Sequence, residues 1–591
     1  MQYKVKSLIK TDFLNTILKE RGIEEPQRYI NPVLSDISSP LDLDNIHKGY
    51  ELLSKHINNH SKIALIVDCD CDGYTSAAIM YNFLSAYYSI LNIDYYIHEG
   101  KQHGLEDMVD TLIDRNYNLI IVPDAGSNDF EQQKTLNDTG ADILILDHHL
   151  VDNIDEDWYM NNEHTIIINN QLSKNYCNKA LSGAGVTWQF CKFYECMISD
   201  IECDTSYNPP VCNQLMDLAA VGIIGDCMDM RNYENRAFSH FGLQTINNIF
   251  LKAIVTKQSF SLKRDNNISP TGVSFFIAPL INSIVRVGSP TEKEKMFEAF
   301  IHGDKEVPST KRGAKGEIEI LCDQMAREGG NAKNRQDTAV TRAMDAIDMI
   351  LQSTGILVDN KIIVADITDM NINIPTTLNG LVAMKLTDKY KKPVLIVRKN
   401  EEGFLRGSAR NDARGEFKDL RTFLLNSGYF EYAQGHENAF GVSINEKQLD
   451  KFTDYANKEL ENVNFNDNFY EVEFATNSKD DDIKDFIFEV YQDDTIWGQK
   501  NDSPLMCITN INIKQSDIQV CGARQDTLRF TCNGITYIKF FATQDIAKLQ
   551  NAGEDINLTI IGEGAINEWA GRSTPQIMIK DYEIGGTIYD F

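Results

Sequence analysis

The sequence predicts an α/β protein built on a parallel sheet, and three observations predict it. Short apolar runs at 63–67, 119–122, 143–146 and 221–224 are bounded by polar and turn-forming residues, the pattern of strands buried on both faces. Helix-like stretches separate them, giving a βαβ alternation. Each run also ends in chemistry. Asp68, Asp70 and Asp72 follow the first, Asp124 the second, Asp147-His148-His149 the third and Asp226 the fourth.

Ligands of open α/β sheets sit outside the carboxyl ends of the strands, so four such ends converge on one crevice. Hard carboxylate oxygens mixed with imidazole suit Mn²⁺ or Mg²⁺, and a shared carboxylate is the usual way to build a two-ion site. These residues predict a metal-dependent phosphoesterase with two divalent ions as cofactors. Alternation along an extended segment would turn Asp70 and Asp72 to one side and Cys69 and Cys71 away from it. A calcium loop also spaces Asp residues, but its twelfth position needs a bidentate Glu and here holds Ile79. Two adjacent His after a buried strand carry polar atoms that need partners. One is expected on a metal, the other on substrate or a supporting carboxylate.

Composition bounds the rest. A length of 591 residues predicts three to four domains. Twelve Cys without a CxxC pair read as reduced, mostly buried thiols. With no run of eighteen apolar residues and no apolar signal core near Met1, a cytoplasmic protein is expected. The net charge of −29 argues against tight nonspecific binding to nucleic acid. Residues 391–415 nevertheless carry seven Lys/Arg against three Asp/Glu. That basic island encloses the turn Gly407-Ser408-Ala409-Arg410; a solvated face is the plain reading, a phosphate site the sharper one.

Residues 301–355 read as a helical connector without a strand, clearest at 339–352. Strands at 362–364 and 394–397 flank a helix at 378–390, a second α/β pattern. After the acidic stretch 479–482, strands at 527–531, 536–541 and 556–561 predict a small β-barrel. The expected domains are 1–300, 301–355, 356–465 and 466–591.

These motifs resemble the DHH phosphoesterase superfamily, and within it the RecJ family of single-strand exonucleases. Asp68-Cys69-Asp70-Cys71-Asp72-Gly73 resembles its first motif, Asp124 its second, and Asp147-His148-His149 the one that names it. Leu181-Ser182-Gly183-Ala184-Gly185 resembles the next helix start, Gly225-Asp226 the last ligand motif, and Pro279-Leu280-Ile281-Asn282 with Arg286 the segment closing the catalytic domain. Gly407-Ser408-Ala409-Arg410 and Gly435-His436 resemble the motifs of the DHH-associated domain, and Asn567-Glu568-Trp569 the end of an OB-like domain. The chain departs from the family at Cys69 and Cys71, where Tyr and Ala are usual, and at Leu280, Asn411 and Gln434.

The resemblance implies a DHH catalytic domain, a helical connector, a smaller α/β DHH-associated domain and a C-terminal OB-like barrel. It implies Asp70, Asp72, Asp124, His148 and Asp226 as metal ligands, with Asp68, His149 and Arg286 acting on the phosphate. Ser408, Arg410, Gly407, Gly435, His436, Ser182 and Asn282 would bind substrate phosphates. It implies 5′→3′ degradation of single-stranded DNA to mononucleotides in repair, recombination or replication, with RNA as a second candidate substrate. A monomer is expected, with a single-strand-binding protein as a candidate partner. In the barrel Phe530, Tyr537 and Phe540 read first as core, and Trp569 as a base-stacking residue. Small oligonucleases and cyclic-dinucleotide phosphodiesterases share the motifs of both domains but lack a barrel. A Cdc45-type scaffold would have lost metal ligands that stand intact here.

Overall fold

The computed structural model describes residues 1–6, 11–89, 91–98, 103–151, 155–262, 268–314, 316–369, 374–412, 416–465, 469–569 and 572–585, without the side chains of His436 and Trp569. It divides into two compact units, one of Arg21–Gln336 with Thr495–Asp502, the other of Met1–Glu20, Asp337–Asp494 and Ser503–Phe591.

The first unit is built on five parallel strands, β1 (Ile63–Val67), β2 (Ile93–Ile97), β3 (Leu119–Pro123), β4 (Asp142–Asp147) and β5 (Thr165–Asn169). Their order is β2-β1-β3-β4-β5, so the winding reverses between β1 and β3. Ile63, Leu65 and Val67 face one apolar core, Ala64 and Ile66 the other. Because helices cover both faces, the central strands read as unbroken apolar runs.

Helix α1 (Cys71–Tyr87) leaves β1 directly, and α2 (Gly183–Ile198) and α3 (Met216–Gly225) pack against it. The run 221–224 is therefore not a strand, as the sequence suggested, but the last turn of α3. An element buried all round loses its helical period, and only its ten-residue length betrays it. Helix α4 (Ala278–Val287) closes the unit. The stretch Pro270–Val287 is apolar and long enough to cross a bilayer by composition, but its Val273, Ile277, Ile281 and Ile284 lie in this core. The connector carries a two-stranded hairpin, Glu306–Pro308 with Ile318–Ile320, too short to show as a pattern. The 33-residue helix α5 (Leu321–Ser353) follows and runs past the division between the units.

The second unit contains β6 (Ile363–Asp366), α6 (Asn379–Tyr390), β7 (Val394–Lys399), β8 (Phe404–Arg410), β9 (Phe430–His436) and β10 (Ala439–Asn445). The sheet order is β9-β10-β8-β7-β6, antiparallel except for β6 with β7. A seven-stranded sheet follows, from β11 (Phe474–Asn477), β12 (Met506–Lys514), β13 (Gln519–Cys521), β14 (Thr527–Cys532), β15 (Ile535–Lys539), β16 (Asp555–Trp569) and β17 (Arg572–Ile584). Its order is β11-β12-β16-β17-β15-β14-β13. Phe530 and Tyr537 stack at 5.1 Å in its core, as expected. Phe540 does not: β15 ends at Lys539, and Phe540 and Phe541 are 53% and 82% exposed. The chain's first strand, Gln2–Val5, pairs in parallel with Phe469–Val472.

Candidate metal centre

The reversal between β1 and β3 opens a crevice at the carboxyl end of the sheet, and Asp68 and Asp124 stand at its two lips. Asp70 follows in extended backbone and caps α1, its Oδ1 accepting from the Gly73 amide at 3.0 Å. Asp72 lies two residues on, in the first turn of the helix, so the alternation expected along this segment ends at Asp70. Gly73 is required here because a Cβ would stand 2.5 Å from that of Asp68.

Asp72 is buried against the start of α2. It accepts from the Ser182 hydroxyl at 2.9 Å and from the amides of Gly183 and Ala184 at 2.7 and 3.1 Å. Ser182, expected on a substrate phosphate, is thus committed to orienting Asp72. Asn282 on α4 accepts from the Cys71 amide at 2.9 Å and ties that helix to the turn of α1. One turn further along, Arg286 is close enough to Asp70 for the two charges to interact.

His148 gathers the remaining carboxylates. Its Nε2 is 3.2 Å from Asp124 Oδ1, 3.5 Å from Asp226 Oδ2 and 3.9 Å from Asp72 Oδ2. Oxygens of Asp68, Asp70 and Asp124 form an adjoining group within 4.8 Å of one another. The structure therefore brings Asp68, Asp70, Asp72, Asp124, His148 and Asp226 into one cluster, from four separate segments. Asp147 is not part of it. Its carboxylate accepts from the amides of Ser127, His148 and His149 and from His149 Nδ1 at 2.8 Å, and so fixes the His148 backbone and orients the His149 imidazole.

Burial, reinforced by neighbouring carboxylates, pushes Asp70, Asp124 and Asp226 above the ordinary Asp range. Burial also raises Asp72, against the hydrogen bonds from Ser182 and the α2 amides. Asp147 goes the other way: against burial, the His149 charge and its hydrogen bonds hold it far below that range. Burial would lower His149, but Asp147 lifts it to about 9. Four crowded acids, three of them gathered round the single imidazole of His148, form an unbalanced arrangement as they stand. Divalent cations balance it, and the oxygen-rich donor set with one imidazole fits Mn²⁺ or Mg²⁺.

Sequence reasoning missed two neighbours of Asp68. His103 Nδ1 is 2.6 Å from Asp68 Oδ2, and His98 Nε2 is 3.8 Å from Asp68 Oδ1. Cys69, expected to point away from the acids, has its Sγ 3.6 Å from His103 Nε2. The signal for His98 was its place directly after β2, the same strand-end position as the other ligands.

In the second unit, β8 carries Gly407, Ser408 and Arg410. A Cβ at Gly407 would stand 1.8 Å from the Ile396 carbonyl, so only glycine allows β7 and β8 to pair there. Ser408 is buried. Arg410 Nη1 donates to the Ala409 carbonyl at 2.7 Å, and Nη2 fills the space a side chain at Gly380 would take. Gly435 sits at φ +131° beside Phe440, a conformation that favours glycine. His436 pairs with Ala439 through the backbone, and Trp569 ends β16; their side chains lie outside the described residues.

Comparison with known proteins agrees with this geometry. Residues 62–223 match the model of the DHH family, N-terminal domain, and residues 478–581 that of the RecJ OB domain. A Bacillus subtilis (strain 168) protein from the SPbeta prophage, named as the single-strand DNA-specific exonuclease YorK, is 36% identical over 97% of this chain and 96% of its own. The chain belongs to the RecJ family of the DHH superfamily. The single-stranded-DNA-specific exonuclease RecJ of Bacillus subtilis (strain 168) is 24% identical to this RecJ-family chain, over 98% of it and 69% of that protein. Thermus thermophilus RecJ, solved in complex with Mn²⁺, shares the fold with a TM-score of 0.72 at 17% identity, over 99% of this chain and 80% of that one. The same protein solved with Mg²⁺ gives 0.67.

Proposed function

We propose that this chain is a divalent-metal-dependent exonuclease that removes mononucleotides from the 5′ end of single-stranded DNA. The observation that carries the reading is the cluster of Asp70, Asp72, Asp124, His148 and Asp226 at the sheet reversal, whose unbalanced acids call for cations. Relatives named for single-stranded DNA, and the match to the RecJ OB domain, supply the substrate class.

Asp70, Asp72, Asp124, His148 and Asp226 would hold two divalent ions. When bound, the ions supply Lewis-acid charge and a water that ionises near neutral pH. The protein's own groups do the rest. Asp147 keeps His149 protonated at neutral pH, so the imidazolium delivers its Nε2 proton to the O3′ that leaves as the P–O3′ bond breaks. Arg286 opposes the negative charge growing on the phosphoryl oxygens. Asp68 orients the first turn of the motif. Ser408 and Arg410, with the Gly407 and Gly435 backbones and His436, take a phosphate near the 5′ end. Exposed Phe540 and Phe541 offer faces on which bases stack.

The test is digestion of a 5′-phosphorylated, 3′-labelled single strand with Mn²⁺, beside duplex, dinucleotide and an Asp124→Asn control. Mononucleotides released from the 5′ end, with duplex spared and the variant inert, are expected. Cleavage of the dinucleotide alone would move the protein to the short-oligonucleotide phosphodiesterases. No hydrolysis despite bound metal would overturn the enzymatic reading.

A further inference from the structure

On the flank of the cluster, Asp68 faces two imidazoles and a thiol that the proposed chemistry does not use. His98, directly after β2, is 1% exposed. Its Nδ1 is 2.8 Å from Asp107 Oδ1, a pairing that orients the ring and turns Nε2 toward Asp68. That Nε2 is buried without a hydrogen-bond partner among the described residues, 3.8 Å from Asp68 Oδ1. A buried ring nitrogen and a carboxylate oxygen that face one another without a hydrogen bond leave a place that a cation between them would satisfy. From the other side, His103 Nδ1 approaches Asp68 Oδ2 at 2.6 Å. Cys69 Sγ is 3.6 Å from His103 Nε2 and 3.7 Å from its Nδ1.

These spacings suit a particular ion. With Zn–S of about 2.3 Å and Zn–N of about 2.0–2.1 Å, a tetrahedral site sets its S···N edge at roughly 3.5 Å. The Cys69–His103 pair already stands at that edge. Asp68, Cys69 and His103 each offer a donor atom within 4.8 Å of the others, and His98 Nε2 faces the Asp68 of that group at 3.8 Å. Thiolate and imidazole select zinc, whereas Mn²⁺ and Mg²⁺ go to the oxygen-rich cluster alongside.

We propose that Asp68, Cys69, His98 and His103 bind one thiophilic divalent cation, Zn²⁺ by preference, beside the carboxylate cluster. As the ion binds, the Cys69 thiol and any proton on His103 are released to solvent. Asp107 is the carboxylate that orients His98 from behind. Asp68 also groups with Asp70 and Asp124, so on the exonuclease reading Zn²⁺ here lowers Mn²⁺-supported turnover.

The experiment is Co²⁺ titration of the full chain, stripped with chelator, read by absorption and independent of any nuclease assay. One equivalent is expected to give a thiolate-to-cobalt charge-transfer band and tetrahedral visible bands, which Zn²⁺ abolishes and excess Mn²⁺ leaves. Cys69→Ser should remove the charge-transfer band with its circular-dichroism melt unchanged. Asp107→Asn should weaken Zn²⁺ about 10- to 100-fold. Asp124→Asn, which disables the main cluster, should keep the band. A wild-type spectrum without thiolate character, a band that survives Cys69→Ser, or a band lost in Asp124→Asn would overturn the proposal.

Discussion

Replacing Asp124 with Asn should stabilise the metal-free protein and remove its response to Mn²⁺. Asp124 follows β3 at φ +73°, a left-handed backbone that Asn adopts readily and Ala does not, so Asn isolates the charge. Its buried Oδ1 has His148 Nε2 3.2 Å away, and burial beside Asp72, Asp70 and Asp68 raises its pKa well above the ordinary value. The linkage sign follows from that direction. A carboxylate raised on folding contributes stability below its unfolded value of about 3.9 and loses it as pH rises through the folded value. At neutral pH the metal-free cluster is therefore a net cost. A buried polar group that is poorly satisfied costs about 1–3 kcal/mol. The unit spans about 320 residues, and roughly 2.1 cal/mol/K of unfolding entropy per residue gives about 0.7 kcal/mol/K. Asp124→Asn should then raise the metal-free melting temperature by about 1.5–4 °C. Mn²⁺ at a hundredfold excess over its Kd adds about 2.7 kcal/mol per ion, or roughly 4 °C, to wild type, and much less to the variant. Thermal melts in chelator and in Mn²⁺, from pH 5 to 8, measure both, and the wild-type deficit should shrink toward pH 5. A metal-free variant that melts below wild type, or a wild type indifferent to Mn²⁺, refutes the reasoning.

Other substitutions probe the same packing. Gly183→Ala places a Cβ 2.2 Å from Asp124 Oδ1, and Gly222→Ala one 2.4 Å from Asp72 Oδ1. Each should cost about 1–3 kcal/mol and lower Mn²⁺ affinity by calorimetry. Ser182→Ala removes the cap of α2 and a hydrogen bond to Asp72; a loss of about 1–3 kcal/mol in denaturant melts is expected. His149, lifted to about 9 by Asp147, contributes stability below about 6.5 that is lost as pH rises through about 9. If it is also the proton donor, kcat should fall over the same limb, and His149→Gln should flatten it. Arg410→Lys should raise KM for a 5′-phosphorylated strand far more than it changes kcat, because a point charge cannot replace a planar fork.

The ligands were legible because a carboxylate after an unbroken apolar run has few other reasons to be there. Asp124 and Asp147 follow strands buried on both faces, where only their strand ends meet solvent or ligand. His98 obeys the same rule but was hidden, because β2 reads Ile-Asp-Tyr-Tyr-Ile and no residue of it is fully buried at the sheet edge. The element under Asp226 was misread for the opposite reason: α3 is buried on every side and shows no period. The strand Gln2–Val5 pairs with residues more than 460 positions away, and nothing local encodes such a partner. His103 lies in a polar loop with no pattern around it.

Glycine is the signal that joins these observations. Gly73, Gly183 and Gly222 belong to α1, α2 and α3, three helices that crowd one cluster of acids. A Cβ on each would enter Asp68, Asp124 and Asp72 respectively, at 2.5, 2.2 and 2.4 Å. In a buried helix, glycine costs about 1 kcal/mol of helix propensity relative to alanine. The fold accepts that cost three times to bring backbone amides and carboxylates together. Asp-Gly, Ser-Gly-Ala-Gly and Val-Gly therefore mark where each helix touches the acids of another segment. That is contact information, which the apolar pattern alone does not carry, and it explains why the cluster forms from four segments far apart in the chain.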